Sequence, residues 1–585
     1  MNMITLFLIV IPVLCAIMLF AMPDKYKKYK DAFFILAAVF NLLAICFYFG
    51  KSIFLYSQWA AFGFSFSIVM SRFTEFLLII AAFFALLTAV FTINNMKDNP
   101  KSSLFNASLL LAVAFVNGAL ITDSLIFLLI YIEALAIPFV LMILSSKENN
   151  SKLAFKAFAI TAIADLGLLM GISLLFALTA TMNISEISLG LEGLWEIMAF
   201  VLIMIGAAGK LGVMPFHSWM PEASEKTPVP FMVYMATAAE KILGVYIVLT
   251  ALKMFNVAPG SAVTYILMGI VAISAITAAL LANSQKSFKK MLVYTSISQG
   301  SFMMIAMLTA YPVAIAGVIL HLLAHTAYKS SLFFGAGIMD DSKTDIIAFK
   351  NNPYIFLCFI LAAASFIGVP FFAAFYSKEF IYEGVFSSGI AWFVIMILVT
   401  FFCSSAVLNW FGKIFLGNDG KYAEYPLTSM IPAVTTAFLC FLLGVFKNIP
   451  LTIIQENISF AEHANMMLLI VSVSALTVAV LNFIIGYAKY NNGLGFVKGI
   501  TAFLGIDKLS ENENADPFNI VLRAYKSFAR ASFDFDKGLN WVYDSLFVNA
   551  TLKLSHAIKT LHNGSMSRYI VWVLAGIAVI IIFFV

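Results

Sequence analysis

Apolar runs of about 20 residues, joined by short polar links, fill most of the chain. They lack the two-residue alternation of barrel strands, so they predict membrane-spanning helices. The first run, Met1 to Met22, has no basic segment before it and no small-residue cleavage site, and reads as a retained helix rather than a signal peptide. Further runs centre near residues 40, 84, 112, 134, 166, 204, 241, 273, 300, 326, 366, 402, 438, 477 and 576. The pattern therefore predicts about sixteen spans. Residues 491–567 are polar enough to leave the membrane. Within them Phe518, Val521, Leu522, Tyr525 and Phe528 share one helix face, with Arg523, Lys526 and Arg530 on others. This predicts an amphipathic helix along the cytoplasmic surface, or a linker tucked against its own bundle, before a last span from Tyr569 to Val585.

Composition sharpens this reading. Of 585 residues 62% are hydrophobic and 11% charged, and mean hydropathy is +0.98. Soluble domains carry about 25% charged residues, so the fold class is an all-α polytopic membrane protein. The net charge of +5 lies in alternate loops. Lys25, Lys27, Lys28 and Lys30 follow the first span and Lys97 and Lys101 the third; Lys147, Lys152 and Lys156 follow the fifth, and Lys286, Lys289 and Lys290 the ninth. Intervening loops hold little beyond Lys51, Arg72, Lys253 and Lys447. Odd-numbered loops are thus predicted to face the cytoplasm, with both termini outside. No basic patch interleaved with aromatics marks a nucleic-acid partner. Cys15, Cys46, Cys358, Cys403 and Cys440 form no CxxC pair, and no Gly-rich phosphate loop follows a strand. Redox chemistry is therefore assigned to other chains.

The candidate chemistry centres on GAAGKLGVMPFHSWMPEASEKTPVP, Gly206 to Pro230. Lys210 lies inside an apolar helix that Pro215 should break. A lysine beside a helix break in lipid-grade sequence points to ion movement, although Lys210 could also snorkel to an interface or serve a structural ion pair. Other spans carry Glu133, Asp165, Glu240 and Lys241. His321, His325 and Lys329 follow one another at four-residue steps, hence on one face. Lys378 and Glu379 follow Pro370, a second predicted break. Each charge at mid-helix costs roughly 2.5–3.5 kcal/mol on an insertion scale, a large penalty unless pairing offsets it. Carboxylates, lysines and histidines along one path make a plausible proton relay. The alternatives are that Glu133 merely neutralises a lysine, that His217 caps a helix end, and that His321 and His325 hold a metal, which Lys329 disfavours. Lys210 before Pro215 and Lys378 after Pro370 stand five spans apart, the spacing of an inverted repeat.

These residues carry a resemblance. GKLGVMPFHSWMPEA with TPVP, FKKMLVYTSISQG (Phe288 to Gly300), HLLAHTAYKSSLFFGAG (His321 to Gly337) and IGVPFFAAFYSKE (Ile367 to Glu379) resemble, in order, the signatures of the antiporter-like subunits of respiratory complex I, membrane-bound hydrogenases and Mrp-type antiporters. The resemblance implies fourteen core helices, broken helices 7 and 12 and two inverted five-helix repeats, helices 4–8 and 9–13. It implies domains 1–100 (first three helices), 101–255 and 256–418 (the repeats), 419–490 (helices 14 and 15), 491–567 (lateral segment) and 568–585 (last helix). By position it implies that Glu133 and Lys210 are the coupled pair of one half-channel and that Lys241 links the halves. It makes His321, His325 and Lys329 the eleventh-helix polar series, places Lys378 in the output half-channel, and matches Asp165 to a sixth-helix aspartate.

The tail, ending FDFDKGLNWVYDSLFV, is similar to that of the largest, distal subunit of this class. PVPFMVYMATAAEKILGVY more closely resembles Ech-type energy-converting hydrogenases. The resulting expectation is an inner-membrane subunit of a nickel–iron hydrogenase that translocates protons, with sodium as the alternative ion. Ni–Fe and iron–sulfur clusters, or flavin, would then sit in partner subunits, with none in this chain. Complex I or an Mrp antiporter is the alternative parent. The rivals from other classes are a stand-alone solute transporter and a subunit that only anchors its complex.

Overall fold

The computed structural model describes residues 6–51, 53–59, 64–342, 353–416, 426–455, 466–490, 495–512, 516–562 and 564–584. It divides into two compact units, Met1–Asn512 and Glu513–Val585. The first unit begins with α1 (Phe7–Ala21) and α2 (Lys27–Tyr48). There follow α3 (Arg72–Asn95), α4 (Ser102–Ile121), α5 (Leu125–Leu144) and α6 (Ser151–Thr179). Next come α7 (Leu194–Leu211), the short α8 (Met220–Lys226) and α9 (Val229–Met254). The series continues with α10 (Ala262–Asn283), α11 (Phe288–Leu308), α12 (Pro312–Ser342), α13 (Pro353–Ile367) and α14 (Ala373–Ser388). It ends with α15 (Ile390–Phe415), α16 (Leu427–Val445), α17 (Asn448–Gln455), α18 (Met466–Tyr490), α19 (Val497–Phe503) and α20 (Ile506–Glu511). Among the described residues, fourteen helices are long and apolar enough to cross a membrane, and two shorter apolar helices, Phe7–Ala21 and Pro353–Ile367, lie at two further predicted spans. The chain is a polytopic, essentially all-helical membrane protein.

One element departs from that pattern. Ile53–Trp59 (β1) and Phe64–Met70 (β2) pair antiparallel, with Ile53 opposite Met70 and Trp59 opposite Phe64. The alternating Phe64-Ser65-Phe66-Ser67-Ile68 was the available signal for a strand. It is too short to register beside runs of 20 apolar residues.

Both predicted helix breaks occur, and each begins earlier than its proline. α7 ends at Leu211 because Gly212 turns left-handed (φ 70°). Pro215, in a cis peptide with Met214, lies three residues further on. α13 ends at Ile367, before Gly368 (φ 89°) and Pro370. Glycine takes φ > 0 without steric cost, so it ends each helix and the proline keeps the chain from resuming it.

Small residues set how closely the walls of the site approach. Gly167 and Gly171 on α6 face Ile205 and Ile203 on α7, while Gly206 and Gly209 face Leu168 and Ala164. A methyl group on Gly209 would lie 2.3 Å from the Ala164 Cβ. This small-residue seam draws α6 and α7 together, as in other membrane helix pairs. The polar spans lie deepest: α11 is 94% buried over its apolar window, and α9 and α12 are each 89% buried, against 28% for α2.

The second unit holds α21 (Pro517–Trp541), which runs through a π-helical turn, Val542–Phe547, into α22 (Val548–Leu561). α23 (Met566–Phe584) follows. Asp516 caps α21 through the Phe518 amide, and proline occupies the first helical position.

Candidate proton-transfer axis

Lys210, in the last turn of α7, is brought against α6 by the glycine seam. Its Nζ lies 2.8 Å from Asp165 Oδ2, with both side chains buried. The ion pair expected with Glu133 is therefore made by Asp165. Glu133 projects from an exposed position on α5 and forms no ion pair among the described residues. The difference follows from helix phase, since Ile132 and Leu135 occupy the buried face of α5.

The break after α7 leaves backbone carbonyls without partners in the helix. Lys241, fully buried on α9, donates its ammonium to the Leu211 carbonyl oxygen. The space for that ammonium is made by glycine: a Cβ on Gly300 would lie 2.3 Å from Leu211 O and 2.8 Å from Lys241 Nζ. α9 reaches this point through a π-helical stretch, Met232–Ala239, that ends immediately before Glu240 and Lys241. The Thr237 hydroxyl donates to Met232 O, five residues back, within that wider turn. π-Helical turns often mark functional sites. Glu240 is also buried.

Gln299 is the residue before Gly300 on α11. His321 Nε2 lies 3.0 Å from Gln299 Oε1 and Nδ1 lies 2.9 Å from Ser377 Oγ, so one imidazole bridges α11 and α14. The residue after Ser377 is Lys378, whose Nζ donates to Phe366 O at 2.6 Å. Phe366 lies in the last turn of α13, so the second break is met by a lysine just as the first is. Lys329 donates to Leu292 O at 2.8 Å and to the Thr295 hydroxyl. The Phe366 ring stands 4.9 Å from Lys329 Nζ and 5.8 Å from Lys378 Nζ, within cation–π range of both. His325 is fully buried, and neither ring nitrogen has a hydrogen-bond partner among the described residues. At the outer end the Ser472 hydroxyl of α18 donates to Glu379 at 2.5 Å. A cavity of about 20 Å³ lies among Lys378, Glu379, Tyr382, Thr400 and Ser472, enough for one water.

Of the residues named from sequence, Lys210 pairs with Asp165, His321 is bonded to Gln299 and to Ser377, and Lys241, Lys329 and Lys378 each rest on a backbone carbonyl, all of them buried, whereas Glu133 is exposed. Sequence reasoning missed Gln299, Gly300, Thr295, Ser377 and Ser472, neutral residues that fix the charged ones. It also missed the backbone carbonyls of Leu211, Leu292 and Phe366, which leave no sequence signal. The SISQG motif was the one visible hint for Gln299 and Gly300.

Residues 122–405 match the NADH:quinone oxidoreductase/Mrp antiporter transmembrane family. Over that stretch the chain is similar to this antiporter-like family. NADH-quinone oxidoreductase subunit L of Rickettsia typhi is 25% identical over 517 residues, 80% of this chain and 77% of that protein. A Na(+)/H(+) antiporter subunit of Alkalihalophilus pseudofirmus is 28% identical over 389 residues, 59% of this chain and 48% of that protein. The second relative therefore extends well beyond the matched region. A chain of the Mrp complex from Dietzia sp. DQ12-45-1b shares the fold with a TM-score of 0.77 at 18% identity, covering 95% of this chain and 63% of that one.

Proposed function

We propose that this chain moves protons across the inner membrane as one subunit of a multi-subunit complex, driven by redox chemistry in its partners. The observation that carries this reading is a buried polar series that spans both helix breaks: the Lys210–Asp165 pair, Lys241 on the Leu211 carbonyl, His321 between Gln299 and Ser377, and Lys378 on the Phe366 carbonyl. A buried ammonium is held charged by its counter-ion, so displacing Asp165 would free Lys210 to release a proton. Lys241 and Lys378, seated on carbonyl ends rather than carboxylates, can take up or give a proton without leaving a bare charge behind. His321, its ring fixed by Gln299 and Ser377, would carry the proton between the two breaks, and Glu379 would receive it beside the small cavity. Glu133, His325 and Lys329 would adjust the charge along this path. Moving one charge against 100 mV costs about 2.3 kcal/mol, which partner chains must supply.

The names of the relatives favour a NADH:quinone oxidoreductase or Mrp-type parent, and sodium as a second cargo. The hydrogenase parent rests on the form of the eighth span, PVPFMVYMATAAEKILGVY. Purification in mild detergent with identification of companions and metals separates these parents. Nickel with iron–sulfur subunits gives the hydrogenase and flavin with NADH-oxidising subunits gives complex I. Small hydrophobic companions without metal give Mrp and remove the redox drive. Transport of a solute by this chain alone would overturn the reading.

A further inference from the structure

The loops after α1 and α3 lie together on one side of the bundle. Lys27 donates to Lys97 O, and Lys30 Nζ donates to Ser103 Oγ at 3.1 Å. Residues 24–31 and 97–101 hold six lysines against three aspartates. Between these loops is an open cleft of about 400 Å³, in the range of ligand sites. Its walls are the end of α1 (Leu19 to Met22), Pro23, Lys30, and the start of α4 with Pro100, Lys101, Ser103 and Leu104. Lys30 is 3% exposed, an unusual depth for a lysine at a membrane boundary. Lys101 directs Nζ to Leu144 O (3.0 Å) and Ser146 O (3.1 Å), which leaves one of its three protons for another acceptor. Asp31, beside Lys30, accepts from Asn106 Nδ2 at 3.4 Å. The first turn of α4 adds the partial positive charge of a helix N-terminus.

The cleft has an apolar extension. Phe7, Val10, Leu14, Ile17 and Met18 are exposed along one face of α1, which leads to Phe20 and Ala21 at the cleft mouth. A cationic cleft continuous with an apolar stripe on the short apolar helix α1 matches an amphiphile with an anionic head. We propose that this cleft binds the phosphate of an anionic phospholipid, with Lys30, Lys101 and Ser103 around the head group and the α1 stripe under the acyl chains. A free phosphate would satisfy the lysines and leave the stripe without a role.

The test uses the full chain in its purified complex, washed with detergent to remove loosely held lipid. Retained lipid is counted by native mass spectrometry, and melting is followed with added dioleoyl phosphatidylglycerol, dioleoyl phosphatidylcholine or inorganic phosphate. Phosphatidylglycerol is expected to survive washing that removes phosphatidylcholine and to raise the melting temperature. A Lys30→Gln, Lys101→Gln double variant should bind it at least tenfold more weakly, and Lys30→Arg should retain it. Should the Lys30→Gln change prevent folding, Lys101→Gln with Ser103→Ala at the rim carries the same expectation. Equal retention of both lipids, unaffected by these substitutions, would mean annular contact and overturn the proposal. Equal protection by inorganic phosphate would assign the cleft to a free anion and overturn it as well.

Discussion

Lys378 Nζ sits 2.6 Å from the carbonyl oxygen of Phe366, across the break that separates α13 from α14. Lys241 meets the carbonyl of Leu211 in the same way at the end of α7. A broken helix has surplus acceptors at its C-terminal end, where cations are favoured. Each break thus makes a seat for a buried ammonium.

Lys378→Met removes the donor and strands the Phe366 carbonyl. An unsatisfied buried acceptor costs about 1–3 kcal/mol. Melting of the purified complex should fall accordingly, and proton transfer per turnover should fall at least tenfold. Equal loss of complex and of transfer would reduce Lys378 to an assembly residue.

Gly300→Ala places a methyl group 2.3 Å from Leu211 O and 2.8 Å from Lys241 Nζ. Overpacking of this kind costs about 1–3 kcal/mol. Gly335→Ala is the control, since nothing lies within 4 Å of its added Cβ. Thermal melting should separate the two, with Gly335→Ala close to the parent protein. Like behaviour of both would show that Lys241 does not depend on the Gly300 notch.

Asp165→Asn leaves the buried Lys210 ammonium without its partner, a change worth about 3–5 kcal/mol where the charge persists. Glu133→Gln removes a carboxylate with no ion pair among the described residues, and should change stability by less than about 0.5 kcal/mol. Denaturation midpoints of the two variants check the assignment of the pair. The opposite ranking would restore Glu133 as the partner.

Glu222 on α8 joins Lys226 (2.8 Å) and Lys156 (3.5 Å). Burial pushes its carboxyl upward, but the two lysines outweigh that and hold it below the ordinary value of 4.5. Stability from this group is therefore present above that value and lost as pH falls through its lower folded value. The group is about one-third exposed, so the contribution is about 0.2–1 kcal/mol. Melting of Glu222→Gln should trail the parent protein at neutral pH and converge with it in acid below 4.5. A gap that widened in acid would contradict the pairing.

The spans, both breaks and most buried charges were legible because lipid imposes a strong pattern: long apolar runs in which Lys210 or His325 stands out. The Lys210 partner was not legible. Glu133 and Asp165 are both carboxylates in apolar spans, and only helix phase and the Gly167–Gly171 seam decide between them. Nor could sequence show that Lys241, Lys329 and Lys378 rest on carbonyls, because every residue has one. Likewise the helices stop at Gly212 and Gly368, while Pro215 and Pro370 draw the eye.

The most direct measurement is proton translocation by the intact complex, reconstituted in vesicles, with Lys210→Ala beside the parent protein at matched complex content. Loss of proton transfer per turnover while the complex still assembles is the expected result. Unchanged transfer would contradict a pathway that begins at Lys210 and Asp165.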